Sequence, residues 1–352
     1  MTSQKEYYPE LALFRGFAIF SIIFGHIQEI ITNYPGQAAS TSWEYIFNYF
    51  RILFAPGGTW FFVFISGFLF YAVFYRRGFV YGRFVRDKFK KVVSPYIIFV
   101  VALGAVRLLF LPQEISVDFV LGTFFYWSFW YVPFIFCVFL GSPFFISLIE
   151  SSTRVGVVVF LLSLAFSVAF GRHFTNPLLA CVYYLPAYIL GLFCAKNYEA
   201  FKAISPNIKW GILFVLILYA SLLAPTRFAL ERNFPRWDIR FCDPPAFVVL
   251  AKLALCPLFL WCFLWLRDHG RALSKSVLNV LAKYSFTIFF FQQFLIFLLL
   301  TPAVASFFVP FQFWTLFAFS WLISIAFCAL TICLFAPLKK LLGKRSRRFI
   351  GC

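Results

Sequence analysis

Charge is scarce in this chain, and acid is scarcer than base. Of 352 residues only 12% are charged, with 13 aspartates and glutamates against 31 lysines and arginines. Soluble domains carry about 25% charged residues, so a water-soluble globule is excluded. Histidine occurs three times, which leaves few groups able to exchange a proton near neutral pH. The nine cysteines form no CxxC and no Cys/His grouping at ligand spacing, so no metal site is expected. Most lie in apolar runs, where cysteine behaves as a small hydrophobe. Only Cys242 falls in a predicted external loop, so no external disulfide is expected. The final "FIGC" is no prenylation box, which needs its cysteine fourth from the end. There is no internal repeat, low-complexity linker or soluble appendage. The first apolar run lacks a small-residue cleavage site, so a cleaved signal peptide is not expected.

What the chain does have is apolar length. Apolar residues make up 62% of it, and phenylalanine alone contributes 55. Runs of roughly 17–25 such residues recur from end to end, enough to cross a hydrocarbon core. The pattern predicts an all-α polytopic membrane protein of about ten spans, at 11–31, 57–75, 92–111, 119–140, 155–170, 178–195, 210–225, 244–266, 284–301 and 312–337, the fourth interrupted by Pro133. Residues 1–338 read as one transmembrane domain and 339–352 as a basic cytoplasmic tail. With the N-terminus cytoplasmic, 22 lysines and arginines fall inside, notably in "RRGFVYGRFVRDKFKK" (Arg76–Lys91) and "KKLLGKRSRR" (Lys339–Arg348). Six fall outside: Arg51, Arg172, Arg227, Arg232, Arg236 and Arg240. That asymmetry places both termini in the cytoplasm. It also accounts for the net charge of +18 without nucleic acid, since anionic lipid headgroups attract basic segments.

The first span, "LALFRGFAIFSIIFGHIQEII", carries three polar groups whose spacing matters. Eleven steps of 100° separate Arg15 from His26, three turns and about 20°, so both lie on one helix face, roughly 16 Å apart along the axis. Glu29 follows on the same face. Charged groups in a span usually face a bundle interior or a wet cavity, so this face reads as a polar lining. Simpler roles exist for each: Arg15 snorkelling to headgroups, His26 as an interhelical hydrogen bonder, Glu29 at the interface. Arg107 and Lys252 pose the same choice in the third and eighth spans.

The run "YYPELALFRGFAIFSIIFGHI" resembles the first helix of the acyltransferase-3 family, membrane-bound O-acyltransferases of bacterial surface glycans: a proline–glutamate pair, an arginine, then after ten residues a histidine. Here these are Pro9, Glu10, Arg15 and His26. "GGTWFFVFISGFLFY" resembles the second helix with its Ser66-Gly67-Phe68. "KFKKVVSPY" resembles the basic segment that follows, "SFWYVPFIF" the segment in the fourth span, and "YSFTIFFFQQF" a late Ser-Phe-x-Ile-Tyr-Leu-x-His motif. The likeness spans the chain in the family's order, with three departures. Ala12 stands where an aspartate is frequent. Lys88 and Lys91 replace arginines and lose the bidentate fork for phosphate. Gln292, followed by Gln293, replaces the late histidine, so acid–base work would rest on His26.

The resemblance implies transfer of an acyl group, most often acetyl, from acyl-CoA to a sugar hydroxyl, with no bound cofactor, in the bacterial inner membrane. His26 would be the general base or an acyl carrier. Arg15 would meet the donor's phosphates or the developing oxyanion. Arg86, Lys88 and Lys91 are the candidates for attracting CoA, although positive-inside sorting explains that cluster equally well. Glu10, Glu29, Ser66, Gln292 and Gln293 are candidate supporting residues. Arg51, Trp130 and Tyr131 are candidates for the acceptor, and Tyr183 and Tyr184 for stacking on a sugar or adenine, against the bland reading of aromatics as packing or interfacial belts. Arg232, Arg236 and Arg240 stand four apart, but Pro235 argues against one helix face. The expected partners are the bilayer, acyl-CoA and a glycan or lipid-linked sugar. Oligomeric state, acyl group and acceptor are open. With no esterase-like domain after the membrane core, the acceptor is expected to meet that core directly.

Other classes compete. A transporter of a small anion or lipid-linked sugar would also have a cavity lined by Arg15, His26 and Arg107, but such proteins often show repeats. The other large class of membrane-bound O-acyltransferases is expected to carry its histidine inside a late span, whereas His269 sits in the charged "RDHGR". No histidine has an aspartate five residues away, as a soluble-type lipid acyltransferase would. No Gly-x-Ser-x-Gly elbow for a serine hydrolase is present.

Overall fold

The structure is a computed structural model that describes residues 8–32, 58–110, 129–171, 176–215 and 245–352, with Gly122. Every regular element among them is helical. Helix α1 (Pro9–Thr32) opens with proline at its first position, where the missing N–H is one the helix leaves unpaired anyway. Helix α2 (Gly58–Leu69) returns beside it: Gly58 packs on Ala18 and Ile22, while Phe61 and Phe64 meet Phe14. The chain then passes through a π-turn (Phe70–Phe74) and a 3-10 turn (Tyr75–Arg77) into α3 (Tyr81–Lys88). A second π-turn (Phe89–Val93) leads to α4 (Ser94–Phe110).

Helices α5 (Tyr131–Ser151), α6 (Thr153–Phe170) and α7 (Pro177–Lys196) follow, with the short α8 (Tyr198–Ala203) behind them. Capping explains two of the starts. Ser152 accepts a hydrogen bond from the Val155 amide at 3.1 Å, and Asn176 accepts from Leu178 and Leu179 just ahead of Pro177. The last part comprises α9 (Pro245–His269), α10 (Ala272–Lys283), α11 (Ser285–Leu299), α12 (Pro302–Phe308), α13 (Phe313–Leu342) and α14 (Ser346–Phe349).

Eight helices among the described residues are long and apolar enough to cross a bilayer, and nine if α10 and α11, bent by 72°, are one span. These correspond to nine of the ten expected spans. The remaining one, 210–225, is helical over 206–215 and otherwise lies outside the described residues. Of the expected fourth span, 119–140, residues 119–128 lie outside the described residues apart from Gly122, and the described part belongs to a helix that runs on past residue 140. That helix runs from Tyr131 to Ser151. Pro133 sits in the first turn, where the ring disturbs no earlier hydrogen bond, and interrupts nothing.

Packing is that of a protein with apolar solvent around it. On α6 the buried residues are Gly156, Ser163 and Ser167, while Val158, Leu161, Leu162 and Phe166 point outward. Lipid is as apolar as leucine, so burying leucine between helices gains little, and small or hydroxylated residues that allow close approach take the contacts. Ser167 donates to the Tyr183 carbonyl at 2.6 Å, and Ser142 pairs with the Tyr188 hydroxyl at 2.6 Å. A close crossing joins α2 and α7, where a Cβ on Gly67 or Gly191 would land on the carbonyl oxygen of Tyr188 or Phe64. Helix α1 is enclosed by α2, α9, α10, α11 and α13, which buries Glu10 and Gln28 and leaves Arg15 and His26 half-buried and Glu29 exposed.

Candidate functional site

Two cavities open at the end of the bundle where α1 begins. The larger, about 500 Å³, is lined by Ala12 and Arg15 of α1, Asn279, Ala282 and Lys283 of α10, Lys339 of α13, and the segment after α13. Five cations border it (Arg15, Lys283, Lys339, Lys344 and Arg347), together with Cys352, and no aspartate or glutamate among the described residues does. Arg15 is half-buried at its inner side. A cavity of this size suits a small-molecule ligand, for which about 300–1,000 Å³ is usual.

The smaller cavity, about 310 Å³, lies around Tyr8, Glu10, Arg76, Lys196, Tyr198 and Arg267. Its centre is Glu10, whose side chain is 1% exposed. The Tyr198 hydroxyl donates to Glu10 Oε1, and Arg267 Nη1 donates to Oε2 at 3.2 Å. Arg267 is further held by Asp268 at 2.7 and 3.0 Å. Burial, and then the hydrogen bond to Glu10, push the Tyr198 phenol above its ordinary value, keeping it a proton donor. Glu10 therefore ties α1 to α8 and α9 beside the larger cavity.

Further along α1, His26 is half-buried and Glu29 exposed. A different cluster forms where α2, α5, α7 and α11 meet. The Ser66 side chain lies beside the Tyr131 hydroxyl. Tyr131 packs edge-on against Phe289, with ring centroids 5.4 Å apart. Gln292 and Gln293 follow Phe289 by one turn. Trp130 stacks on Phe134 and Tyr184 at 5.5 and 5.7 Å, and Tyr184 and Tyr183 in turn pack on Trp60. Tyr183 and Tyr184 are buried and Trp130 half-buried. The sequence separates Ser66, Tyr131 and Phe289 widely; the fold sets Tyr131 beside Ser66 and against the helix that carries the glutamine pair.

Gln292 stands out chemically. It is 2% exposed, and neither its Nε2 nor its Oε1 has a hydrogen-bond partner among the described residues. Leaving such a group unsatisfied costs about 1–3 kcal/mol, and a ligand with both donor and acceptor would remove that cost. Gln292→Leu is therefore expected to hold or raise the thermal unfolding midpoint while lowering catalytic turnover. A midpoint that falls, with turnover intact, would show the amide to be structural.

The basic segment stands apart from the cavity at Arg15. Lys91 pairs with Asp87 at 2.9 Å. The Lys88 ammonium lies over the rings of Phe139, Phe74 and Phe84, at 4.1, 4.8 and 5.3 Å, and Arg86 is exposed. None of the three lines the cavity at Arg15, although Lys88 lies within electrostatic reach of Arg15 and Arg347. Arg107 is half-buried with its guanidinium 5.9 Å from the Phe297 ring centroid, and Lys252 is buried in α9. Arg51, Arg232, Arg236, Arg240 and Cys242 lie outside the described residues. Those residues contain no metal-binding group of three or more ligands.

A family model described as an acyltransferase domain matches residues 8–335. The chain belongs to the acyltransferase-3 family. With its apolar spans, this makes the protein a membrane acyltransferase. No curated protein and no solved structure matches the chain. The family's domain reaches from Tyr8, just ahead of α1, into α13, so both cavities, the aromatic cluster and the glutamine pair involve it. Sequence reasoning missed Tyr198 and Arg267 as partners of Glu10, and Lys283, Lys339, Lys344 and Arg347 as neighbours of Arg15. All of these cations stood in runs already explained by membrane sorting, so nothing in the linear order distinguished them.

Proposed function

We propose that this acyltransferase takes an acyl group, most often acetyl, from acyl-CoA and places it on a hydroxyl of a cell-surface or lipid-linked glycan. The observation that carries the reading is the arrangement along α1: Arg15 borders a cavity lined by five cations, and His26 follows on the same face. A polyanionic donor suits the first and deprotonation of a hydroxyl suits the second. The end where α1 begins is taken as cytoplasmic, which the collection there of Arg76, Lys196, Arg267, Lys283, Lys339, Lys344 and Arg347 supports. The membrane is then the bacterial inner membrane.

In this reading the nucleotide of acyl-CoA rests in the basic cavity and its pantetheine arm reaches along α1, placing the thioester near His26. His26 removes the hydroxyl proton as the sugar oxygen attacks the thioester carbonyl. The C–S bond breaks, and the proton passes from the imidazolium to the CoA thiolate. As an acyl carrier, His26 would first take the acyl group on nitrogen, release CoA, and pass the group to the hydroxyl. In either course the basic cavity holds the donor while the reacting carbon is presented deeper in the bundle. Ser66, Tyr131 and Gln292 supply hydrogen-bonding groups for the acceptor, with Trp130 as a stacking face.

Membranes containing the full chain, incubated with native surface glycan and acetyl-labelled acetyl-CoA, test the proposal. Label is expected in a base-labile ester on the glycan. Ester formed from another acyl-CoA and not from acetyl-CoA would correct the acyl group. No ester from any acyl-CoA, with folded protein and glycan present, would reject the donor.

A further inference from the structure

Helix α10 lies across one end of the bundle rather than through it. It follows α9 directly after Gly270 and Arg271, and it meets α11 at a bend of 72°. Both of its ends are fixed in depth. Helix α9 carries no charge from Leu253 to Leu266, and Arg267 marks where that apolar run stops. Lys275, in the first turn of α10, donates to the Arg267 carbonyl at 2.7 Å. Helix α13 carries no charge from Phe313 to Leu338, and Lys339 marks where its run stops. The Lys339 ammonium lies 4.8 Å from the ring centroid of Tyr284, the residue that directly follows α10. Thr287, in the first turn of α11, donates to the Ile350 carbonyl at 2.6 Å, and Ser94, the first residue of α4, donates to the Arg348 carbonyl at 2.9 Å. The segment after α13 therefore closes on the same level. The first half of a broken span would have one end here and the other well inside the bilayer. Both ends of α10 stand where apolar runs stop.

The faces of α10 differ in kind. At 3.6 residues per turn, Lys275, Leu278 and Ala282 share an arc of about 60°. This arc turns towards the bundle: Ala282 is buried, and the Leu278 carbonyl meets α1 so closely that a Cβ on Gly16 would overlap its oxygen. Ser276, Asn279 and Lys283 share a second arc, and Asn279 and Lys283 line the cavity at Arg15. Leu273, Val277 and Val280 share a third, opposite the first, and are 75%, 50% and 39% exposed. Lipid reaches this depth on neighbouring helices. Trp265 of α9 and Leu338 of α13, each one or two residues short of the cation that ends its run, are 61% and 43% exposed.

We infer that α10 is an interfacial helix, with the stripe of Leu273, Val277 and Val280 seated among the lipid acyl chains of the leaflet at the end where α1 begins. A helix that lies in the interface plane buries its apolar face at the boundary between headgroups and acyl chains. The occupant is lipid because the stripe stands level with the ends of two spans whose outward residues already meet the bilayer. The opposite arc holds α1 beside Arg15, and the arc between them faces the cavity. One wall of that cavity is thereby carried by the membrane itself. The inference holds whichever donor the cavity takes.

The full chain is reconstituted in phosphatidylcholine liposomes with p-benzoyl-phenylalanine, which inserts into neighbouring C–H bonds on illumination, placed at one position at a time. Leu273→p-benzoyl-phenylalanine and Val277→p-benzoyl-phenylalanine are expected to give phosphatidylcholine adducts, read by mass spectrometry, several-fold above those from Ser276→p-benzoyl-phenylalanine on the cavity side. A thermal unfolding midpoint near that of wild type establishes the fold of each variant. Where a stripe variant fails that check, Val280→p-benzoyl-phenylalanine on the same stripe replaces it. Adducts that join two copies of the chain instead of chain and lipid overturn the inference and assign the face to self-association. Equal lipid adducts from Ser276 and the stripe also overturn it, because α10 is then sunk in hydrocarbon on every side as half of a broken span. Folded stripe variants that give no adduct overturn it too, since the face then meets water. Each of these failures leaves the proposed acyl transfer standing, because no arm of the test reads transfer.

Discussion

With His26 replaced by alanine, membranes holding the full chain are expected to form no labelled ester above background, while the protein stays folded. The physical ground is the scarcity of alternatives. His173 lies outside the described residues, and His269 stacks on Trp265 at the end of α9 with its Nδ1 3.2 Å from the Trp265 carbonyl. Gln292 cannot exchange a proton near neutral pH. Loss of a general base lowers turnover by about 10²–10⁴-fold, and loss of an acyl carrier removes it entirely. His26 is half-buried, so truncation leaves a gap of imidazole size that the bundle can tolerate. Substantial ester formation by folded His26→Ala protein would keep the enzyme and remove His26 from its chemistry. His26→Gln, closer in shape, is expected to be equally inactive, which separates proton transfer from packing.

The largest loss of stability is expected from Arg267→Met rather than from a change at Glu10. The pair is asymmetric: Glu10 is 1% exposed and Arg267 33%. Without Glu10, Arg267 keeps Asp268 and its access to water. Without Arg267, the Glu10 carboxylate keeps, among the described residues, only the Tyr198 hydroxyl. Stranding a buried charge costs about 3–5 kcal/mol, whereas removing both members of a pair is often nearly neutral. Arg267→Met should therefore lower the thermal unfolding midpoint markedly, and adding Glu10→Gln should recover most of it. Such a rescue is the signature of coupling between two sites in contact. Equal midpoints for Arg267→Met and wild type would show that the clamp contributes nothing to stability.

How much of this was legible beforehand follows from what each feature depends on. Helices that cross a bilayer must satisfy their backbone internally, and the length of an apolar run is a property of consecutive residues, so the spans were readable. The face shared by Arg15 and His26 follows from helical periodicity. Pro133 was read as an interruption of the fourth span, whereas in the first turn of a helix a proline is harmless. The family was legible through the order of several motifs, from Pro9-Glu10 to the glutamine pair in α11.

The basic cavity at Arg15 was not legible. Arg86, Lys88 and Lys91 form a cationic run in sequence, yet two of them are held by Asp87 and by phenylalanine rings. The cations that surround Arg15 come from α10, α13 and the segment after it, over 260 residues away along the chain. Membrane sorting makes every loop on that side basic, so composition cannot tell a ligand's lysine from one that merely orients a span. The sequence by itself determined that the chain is a helical membrane protein, which family it belongs to, and which polar groups share a face of the first helix, because these depend on neighbours within a few turns. Only the tertiary structure decided that Glu10 is clamped by Tyr198 and Arg267, that Gln292 is buried without a partner, and that the final basic stretch is pinned by Ser94 and Thr287 beside Arg15. Those depend on contacts between distant segments, and such contacts exist only once the helices have packed.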